Sequence, residues 1–406
     1  MTDKINVAVF FGGKSFEHDV SILTGIEVCN SLDYTKYNVI PVYLDLKNQL
    51  WTGDALMSKT IYPLQDWSKK LLKKTQLLVG EDRPTLQFIE QGMFLKSTKR
   101  TTFDVAFCAF HGEYGENGPV QGMFEVASIP YTGCRVFAAG LAMDKSIAKM
   151  LAKNVNVNVL DEVIIKKPND DFFDIEDLTK NKNIKFPCIV KPISLGSSVG
   201  VSKATNQDEL NISILQVFTL GDNALIEPFV ENLEEYNVSV TKVFNGKTTA
   251  SIIERPIKKD AAFLGFKEKY MSSGGGTKTN GIKIGTKFNN SNDSGMLSMT
   301  RDFSPKELSE KESETLKKWA INVFDILKCN GVVRVDFLCN SKTKEFYFGE
   351  INTIPGSLSY YLWEASEPSY TQTDLTGALV EEAIELNKKR KGEIILTGSK
   401  IFKEKK

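Results

Sequence analysis

Near the C-terminal end of the chain, two short runs keep strand periodicity while carrying charge on one face only, and few folds can accept such a pair. Val332-Val333-Arg334-Val335-Asp336-Phe337-Leu338 and Phe346-Tyr347-Phe348-Gly349-Glu350-Ile351-Asn352 are separated by the turn-forming residues 340–344, a pattern that predicts a β-hairpin. Side chains alternate along a strand, so Arg334, Asp336 and Leu338 share one face of the first run, and Glu350 and Asn352 share one face of the second. Folding about the turn brings Asp336 roughly opposite Phe348 or Glu350. Val333, Val335 and Phe337 make the other face a core surface, so the fold has to cover one side and leave the other open. Two carboxylates and an amide oxygen then converge on the open side. Such hard ligands suit Mg²⁺, which takes one or two carboxylates plus substrate phosphates. The charged face runs on into Thr353-Ile354-Pro355-Gly356.

A chain of 406 residues exceeds a single domain of ~100–200 residues. Residues 5–11, 37–44 and 103–110 read as strands and residues 20–31 as a helix, an alternation that argues for an open parallel α/β sheet. The expected division is an N-terminal α/β domain over residues 1–133, a central block over 134–223, a C-terminal block over 224–390 and a short tail over 391–406. Residues 54–100, with Lys69-Lys70-Leu71-Leu72-Lys73-Lys74, read as a solvated surface without chemistry. The central block holds a helix over 145–153, a strand over 188–191 and then the loop Pro192-Ile193-Ser194-Leu195-Gly196-Ser197-Ser198-Val199-Gly200. In the last block, residues 272–304 are rich in Gly, Ser, Asn and Thr, a length that in a compact domain marks function or disorder.

Composition excludes several classes. Lys plus Arg equals Asp plus Glu at 51 each, so no global field points to nucleic acid or a membrane surface. No apolar stretch reaches ~18 residues, and the N-terminal apolar run is too short for a signal peptide, so a cytoplasmic protein is expected. The six cysteines are scattered without a CxxC pair and only two histidines occur, which argues for reduced core thiols and against zinc. Gly13-Lys14-Ser15 resembles the end of a P-loop, but position 8 is Ala where that motif requires Gly. Lys145, after an apolar helical run, and Lys191, at the end of a strand and ahead of the Gly/Ser loop, could serve phosphate oxygens; a plain β-turn accounts for the loop equally well.

Taken in order, these segments closely resemble the ATP-grasp superfamily and, within it, the D-alanine:D-alanine ligases of peptidoglycan synthesis. The resemblance rests on Phe11-Gly12-Gly13-Lys14-Ser15-Phe16-Glu17-His18-Asp19-Val20-Ser21, on His111-Gly112-Glu113-Tyr114-Gly115-Glu116-Asn117-Gly118 with Gln121-Gly122, and on Ala142-Met143-Asp144-Lys145. Val190-Lys191-Pro192 with residues 196–200, and Glu350-Ile351-Asn352-Thr353 with Pro355-Gly356, complete it. It spans Val7 to about Leu386.

The resemblance implies a two-domain ATP-grasp fold after the N-terminal domain, and ligation of two D-alanine molecules through an acyl phosphate. ATP would be the co-substrate, with two Mg²⁺ ions, replaceable by Mn²⁺, held by Asp336, Glu350 and Asn352. Lys145, Lys191, Ser198 and Lys269 would serve the ATP, with Glu227 at the adenine hinge and Glu235 on the ribose. Glu17 would grip the first ammonium group, linked through Ser197 to Tyr270 on a lid loop over 266–305, with His111 nearby. Arg334 and the Gly356 N–H would stabilise the oxyanion, and Ser357 and Leu358 would meet the second substrate. Small-molecule substrates, no nucleic acid or membrane partner, and a homodimer are implied as well.

Two departures stand out. The stretch 271–304 is much longer than the family's lid, and Arg301 within the lid loop either adds a charge at the nucleotide or product or, as expected, lies at the surface. The loop after Gly356 is shorter than in the usual members, which leaves D-lactate, D-serine or another amino acid as alternatives for the second substrate.

Overall fold

The computed structural model describes residues 4–62, 71–91, 96–170, 172–180, 182–257 and 301–393. The first layer begins with β1 (Ile5–Gly12), α1 (His18–Ser31), β2 (Tyr37–Leu44), β3 (Leu50–Thr52), β4 (Lys73–Leu78), β5 (Thr85–Gln91), β6 (Lys96–Thr102) and β7 (Val105–Cys108). They form one sheet in the order β6-β5-β4-β3-β2-β1-β7. β1 lies parallel to β2 and β7, as the alternation predicts. The remaining pairings are antiparallel, so the sheet is mixed rather than wholly parallel. Its antiparallel wing comes from the charged stretch that reads as plain surface. The wing is legitimate sheet because its edge strand, Lys-Ser-Thr-Lys-Arg-Thr-Thr over 96–102, carries the cationic residues that keep an exposed edge from pairing with another chain.

The second layer contains α2 (Pro119–Val126), α3 (Val136–Met143), α4 (Lys145–Asn154), β8 (Val163–Ile165), α5 (Ile175–Thr179), β9 (Cys188–Pro192), β10 (Ser202–Ala204), α6 (Gln207–Thr219) and β11 (Ala224–Pro228). Its sheet has the order β10-β9-β11-β8. β11 pairs with both β9 and β8, which carries the central sheet past the boundary expected at 223/224. The third sheet, β14-β13-β12-β15-β16, is built from β12 (Leu233–Thr241), β13 (Thr249–Pro256), β14 (Arg301–Phe303), β15 (Val332–Asn340) and β16 (Glu345–Asn352). The hairpin that opened the sequence analysis is β15–β16.

Three apolar cores follow these sheets, but not the chain boundaries. α3 and α4 pack with the helix Glu310–Ile326 against the third sheet, although they were expected with the central block. Ile354, Leu358, Trp363, Leu375 and Leu379 join the first core beside Phe10, Phe11 and Phe107. The helix Gln372–Glu393 therefore closes over the N-terminal layer, and it runs three residues into the expected 391–406 tail, whose remainder lies outside the described residues. All six cysteines are free and buried. No described helix is long and apolar enough to cross a membrane.

Gly25 on α1 fixes how closely that helix sits on β1, because a Cβ there would lie 2.3 Å from the Phe11 ring. Alanine in a helix gains about 1 kcal/mol over glycine, whereas overpacking a tight core costs about 1–3 kcal/mol. Gly25→Ala is expected to lower the melting temperature despite its better helix propensity; an unchanged or higher melting point in thermal unfolding would contradict this packing.

Candidate active site

In the hairpin, Asp336 stands opposite Glu350 and Arg334 opposite Asn352. A bulge at Gly349 absorbs one residue between these pairs and the Phe337/Phe348 pair, which selects Glu350 over Phe348 as the partner. The row continues across the sheet: Glu254 on β13 faces Asn237 on β12, which faces Asp336. Val333, Val335 and Phe337 are fully buried on the other face. Arg334 grips Asp336 in bidentate fashion, Nε at 2.6 Å from Oδ1 and Nη2 at 2.7 Å from Oδ2. Burial works against the Arg334 charge, but the Asp336 carboxylate outweighs it and holds the guanidinium cationic. Asn352 donates its amide to Asp336 Oδ2 at 3.1 Å, so its carbonyl oxygen points away from that carboxylate. Among the described residues no group of three or more His, Cys, Asp or Glu side chains gathers as a metal site. The set here is two carboxylates and an amide oxygen on a half-exposed rim, a donor chemistry that fits Mg²⁺ shared with phosphate oxygens and suits no softer metal.

The basic side comes from two elements. Asp144 caps α4 by accepting the Ile147 N–H at 2.9 Å, which sets Lys145 at the helix start. Its Nζ donates to the Leu195 carbonyl at 2.5 Å and lies 3.8 Å from Glu350. Burial lowers the Lys145 pKa, and Glu350 only partly opposes this. Lys191 on β9 pairs with Glu227 at 2.5 Å, and Lys149, one turn along α4 from Lys145, pairs with Glu227 from the other side and with Glu162 at 2.9 Å. Burial pushes the Glu227 carboxyl up, but the two ammonium groups win and keep it below the usual carboxylate range. The Glu227 side chain is thus the counter-ion of two lysines. Glu235 lies half-buried on β12, opposite Leu338. Ser197 and Ser198 adopt consecutive left-handed conformations, φ 52° and 58°, in a backbone region that non-glycine residues populate mainly at functional turns.

The N-terminal layer closes the site. Glu17 is buried and accepts a hydrogen bond from Ser197 Oγ. A Cβ on Gly112 or Gly196 would come within 2.8 or 2.9 Å of Glu17 Oε2, so both glycines are there for close approach. His111 is buried with Nε2 2.9 Å from Thr24 Oγ1. Burial, reinforced by Arg334, drops its pKa to about 3, so the ring is neutral. Glu116 accepts the Gly112 N–H at 2.7 Å and the Ile354 N–H at 3.1 Å, and so ties the His111 loop to the segment leading to Gly356. Burial first, then the Glu17 charge, raises the Glu116 pKa to about 8.

At several residues the structure adds to the sequence expectations, and at Arg301 it departs from them. Leu358 packs into the N-terminal core, and Ser357 is buried with its N–H directed at Thr24 Oγ1, 3.4 Å away. Ser357, Leu358 and Ser359 turn inward with φ 50°, 54° and 49°. Arg301 is not at the surface but keeps only 10% side-chain exposure in an ion pair with Glu254. Lys269 and Tyr270, with the lid as far as residue 300, lie outside the described residues. Finally, Lys149, Glu116 and Glu254 were not singled out. The four-residue spacing from Lys145 marks Lys149 as a neighbour on the same helix face; nothing local distinguishes Glu116 or Glu254 from surface acids.

With this geometry in place, comparison with known proteins is decisive. Residues 6–134 match the family description "D-ala D-ala ligase N-terminus", and residues 151–300 and 282–381 match "D-ala D-ala ligase C-terminus". The chain belongs to the D-ala D-ala ligase family. It is 34% identical over 369 residues to the D-alanine–D-alanine ligase of Thermosipho melanesiensis, covering 91% of each chain. It is 30% identical over 395 residues to that of Legionella pneumophila, covering 95% of this chain and 96% of the other. The solved D-alanine-D-alanine ligase from Coxiella burnetii shares the fold at TM-score 0.74 and 23% identity, covering 96% and 97% of the two chains. The VanG D-Ala:D-Ser ligase from Enterococcus faecalis does so at TM-score 0.71 and 21% identity, covering 94% and 100%. Within a ligase family, the antiparallel sheets of the second and third layers are the ATP-grasp pair that the resemblance implied.

Glu116 generates a pH prediction. An ordinary carboxyl ionises near 4.5, whereas this one holds its proton to about 8. Between those values the folded chain binds a proton that the unfolded chain has released, so its contribution is complete below about pH 4.5 and lost as pH rises through about 8. Between about pH 5 and about pH 8 the melting temperature of the wild type should fall more steeply than that of Glu116→Gln. Parallel slopes in calorimetry would refute the raised pKa.

Proposed function

We propose that this ligase joins two D-alanine molecules into D-alanyl-D-alanine for peptidoglycan precursor synthesis, with ATP and Mg²⁺. The observation that carries the reading is the 3.8 Å approach of Lys145 to Glu350, which sets a buried cation from the second layer against the acidic rim of the third. Phosphoryl transfer asks for positioning and charge neutralisation more than for covalent chemistry, and this junction of opposite charges meets that need.

Asp336, Glu350 and Asn352 would hold the Mg²⁺, which supplies neutralisation of phosphate charge. Lys145 and Lys191 would cradle the phosphates, with Glu227 and Lys149 keeping Lys191 oriented. The Gly196–Ser198 turn offers backbone N–H groups to the same oxygens. Glu17, held by Ser197, would take the ammonium group of the first D-alanine and leave its carboxylate to attack the γ-phosphorus, releasing ADP. The amine of the second D-alanine then attacks the acyl carbon; the tetrahedral adduct expels phosphate and the amine proton passes to solvent or base. Arg334 and the Gly356 N–H would meet the oxyanion of that adduct. His111, being neutral, serves as a hydrogen-bonding wall and not as an acid. Lys269 and Tyr270 complete this scheme as lid residues, Ser198 as a phosphate contact, and Glu235 with Glu227 as the nucleotide hinge. A homodimer acting in the cytoplasm is part of the same reading.

A second reading, with D-lactate, D-serine or another amino acid as acceptor, is favoured by one observation: Ser357 and Leu358 are buried at 3% exposure each and offer little surface to an acceptor. Purified protein with ATP, Mg²⁺ and a mixed pool of D-amino and D-hydroxy acids, followed by mass spectrometry, decides between them. D-alanyl-D-alanine should dominate; a depsipeptide or D-alanyl-D-serine as main product would transfer the chain to the second reading, and no phosphate release would end both.

Asp336→Asn should reduce turnover by at least roughly 10²-fold, in the range seen for loss of a major electrostatic stabiliser; near-normal ADP release would remove Asp336 from the metal set. Arg334→Met should depress kcat with little change in the KM for ATP. Equal losses in both would assign it to binding instead.

A further inference from the structure

The reaction proposed above, on which this inference rests, asks the Gly356 N–H to keep its place while an oxyanion forms. A displacement of about 1 Å at such a donor is enough to slow turnover. The residues that follow it do not hold a position by themselves. Ser357, Leu358 and Ser359 take left-handed backbone in succession, at φ 50°, 54° and 49°, and none of them is glycine. Such conformations persist only where the surroundings hold them, so the turn needs support at both ends.

At its start the support comes from the N-terminal layer. Glu116 accepts the Ile354 N–H at 3.1 Å, and the Ser357 N–H donates to Thr24 Oγ1 at 3.4 Å. At its end the turn runs directly into the short helix Tyr360–Glu364, and there the support comes from the third sheet. Trp363 Nε1 donates to Ser239 Oγ at 2.9 Å, and Ser366 Oγ accepts the Ile252 N–H at 2.9 Å. Closer to the turn, the Tyr361 hydroxyl donates to Glu254 Oε1 at 3.1 Å. Burial, and then the Glu254 charge, pushes the Tyr361 phenol up to about 12, so it keeps its proton and stays a donor.

Glu254 is itself immobilised. It is fully buried on β13. Asn237 Nδ2 donates to the same oxygen at 3.0 Å, and Arg301 Nη1 donates to the other at 2.6 Å. The Arg301 guanidinium also lies 3.9 Å over the ring centroid of Tyr361, and Asn237 stands opposite Asp336 in the sheet. Tyr361 is thereby tied to the strand next to Asp336. A buried ion pair adds little net stability compared with apolar residues of the same volume; what this one supplies is position.

We propose that Glu254 is a positioning residue for the acyl-transfer step: by holding the Tyr361 hydroxyl it fixes the strained turn after Gly356, and with it the Gly356 N–H, against the third sheet.

The test uses full-length protein with ATP, Mg²⁺ and D-alanine, well below its melting temperature. ADP release gives kcat and the KM for ATP, and mass spectrometry confirms the dipeptide. Tyr361→Phe removes the hydroxyl and keeps the ring beneath Arg301. It should lower kcat about tenfold, as for one hydrogen bond to a charged group, with the KM for ATP unchanged. In a Glu254→Gln background the same change should have a smaller effect, because the hydroxyl no longer meets a carboxylate. Tyr236→Phe, which removes a hydroxyl bonded to Glu234 at 2.7 Å from a ring in the core, should leave kcat as it is. A wild-type kcat in Tyr361→Phe overturns the proposal, even if the melting temperature falls, since the bond would then serve stability alone. An equal drop in Tyr236→Phe overturns it as well, as does full multiplication of the Tyr361 and Glu254 losses in the double variant. Should Glu254→Gln fail to fold, Tyr361→Phe decides alone. A wild-type protein that forms no dipeptide ends the ligase reading and this inference together, whereas a productive wild type with an unaffected Tyr361→Phe ends this inference only.

Discussion

Take away the Glu227 carboxylate, and Lys149 and Lys191 would face each other with 2% and 9% exposure. Neither ammonium could recover its hydration. Deleting one partner of such a buried arrangement costs about 3–5 kcal/mol, a sizeable share of a stability of about 5–15 kcal/mol. The same constraint recurs at Arg334 with Asp336, at Arg301 with Glu254, and at Glu116, which has backbone N–H groups and a raised pKa in place of a cation. The fold brings charge out of water at the junction of its three layers, and each charge survives there because a specific partner meets it. A site so arranged is poised for substrates that are themselves charged, since its partners can exchange a neighbour for a phosphate or a carboxylate without passing through bulk solvent.

How much of this was visible in the sequence varies with the range of the interaction concerned. The β15–β16 hairpin was legible because alternation writes the two faces directly into residue order. The bulge at Gly349 was not, since a lone glycine in a strand leaves its effect on register open, and it alone decides whether Asp336 meets Phe348 or Glu350. The parallel strands β2, β1 and β7 were legible from their apolar runs. The antiparallel wing over 73–102 was hidden because a solvated, charged edge strand looks like any surface segment. Ser357, Leu358 and Ser359 hold left-handed backbone without the glycine that would announce it. The pairs that define the site join residues far apart: Arg301 is 47 residues from Glu254, and Ile354 is 238 from Glu116. No local pattern could have joined them. The proposed roles of Glu17, Ser197, Ser357 and Leu358 come from family resemblance, because no local pattern in residue order assigns them.

The three cores also change what a domain means here. α4 carries Lys145 and Lys149 while packing with α3 on the third sheet, so the lysines and the acidic rim share one foundation. Glu116 and Thr24 reach from the first layer to the backbone on either side of Gly356. A shift of the N-terminal layer would therefore be felt at Gly356 through two hydrogen bonds, without passing through the hairpin.

The closing of the last helix over the first sheet has a consequence for how the chain comes into being. Leu358, Trp363, Leu375 and Leu379 belong to the same apolar cluster as Phe10, Phe11 and Phe107. A ribosome makes the sheet first and those residues last. Domains that fold as units during synthesis can shelter their apolar surface at once, but this sheet waits with part of one side uncovered until residues 358–379 have emerged. For a nascent chain of this kind, the interval before the helix Gln372–Glu393 arrives is when chaperones and self-association compete for it.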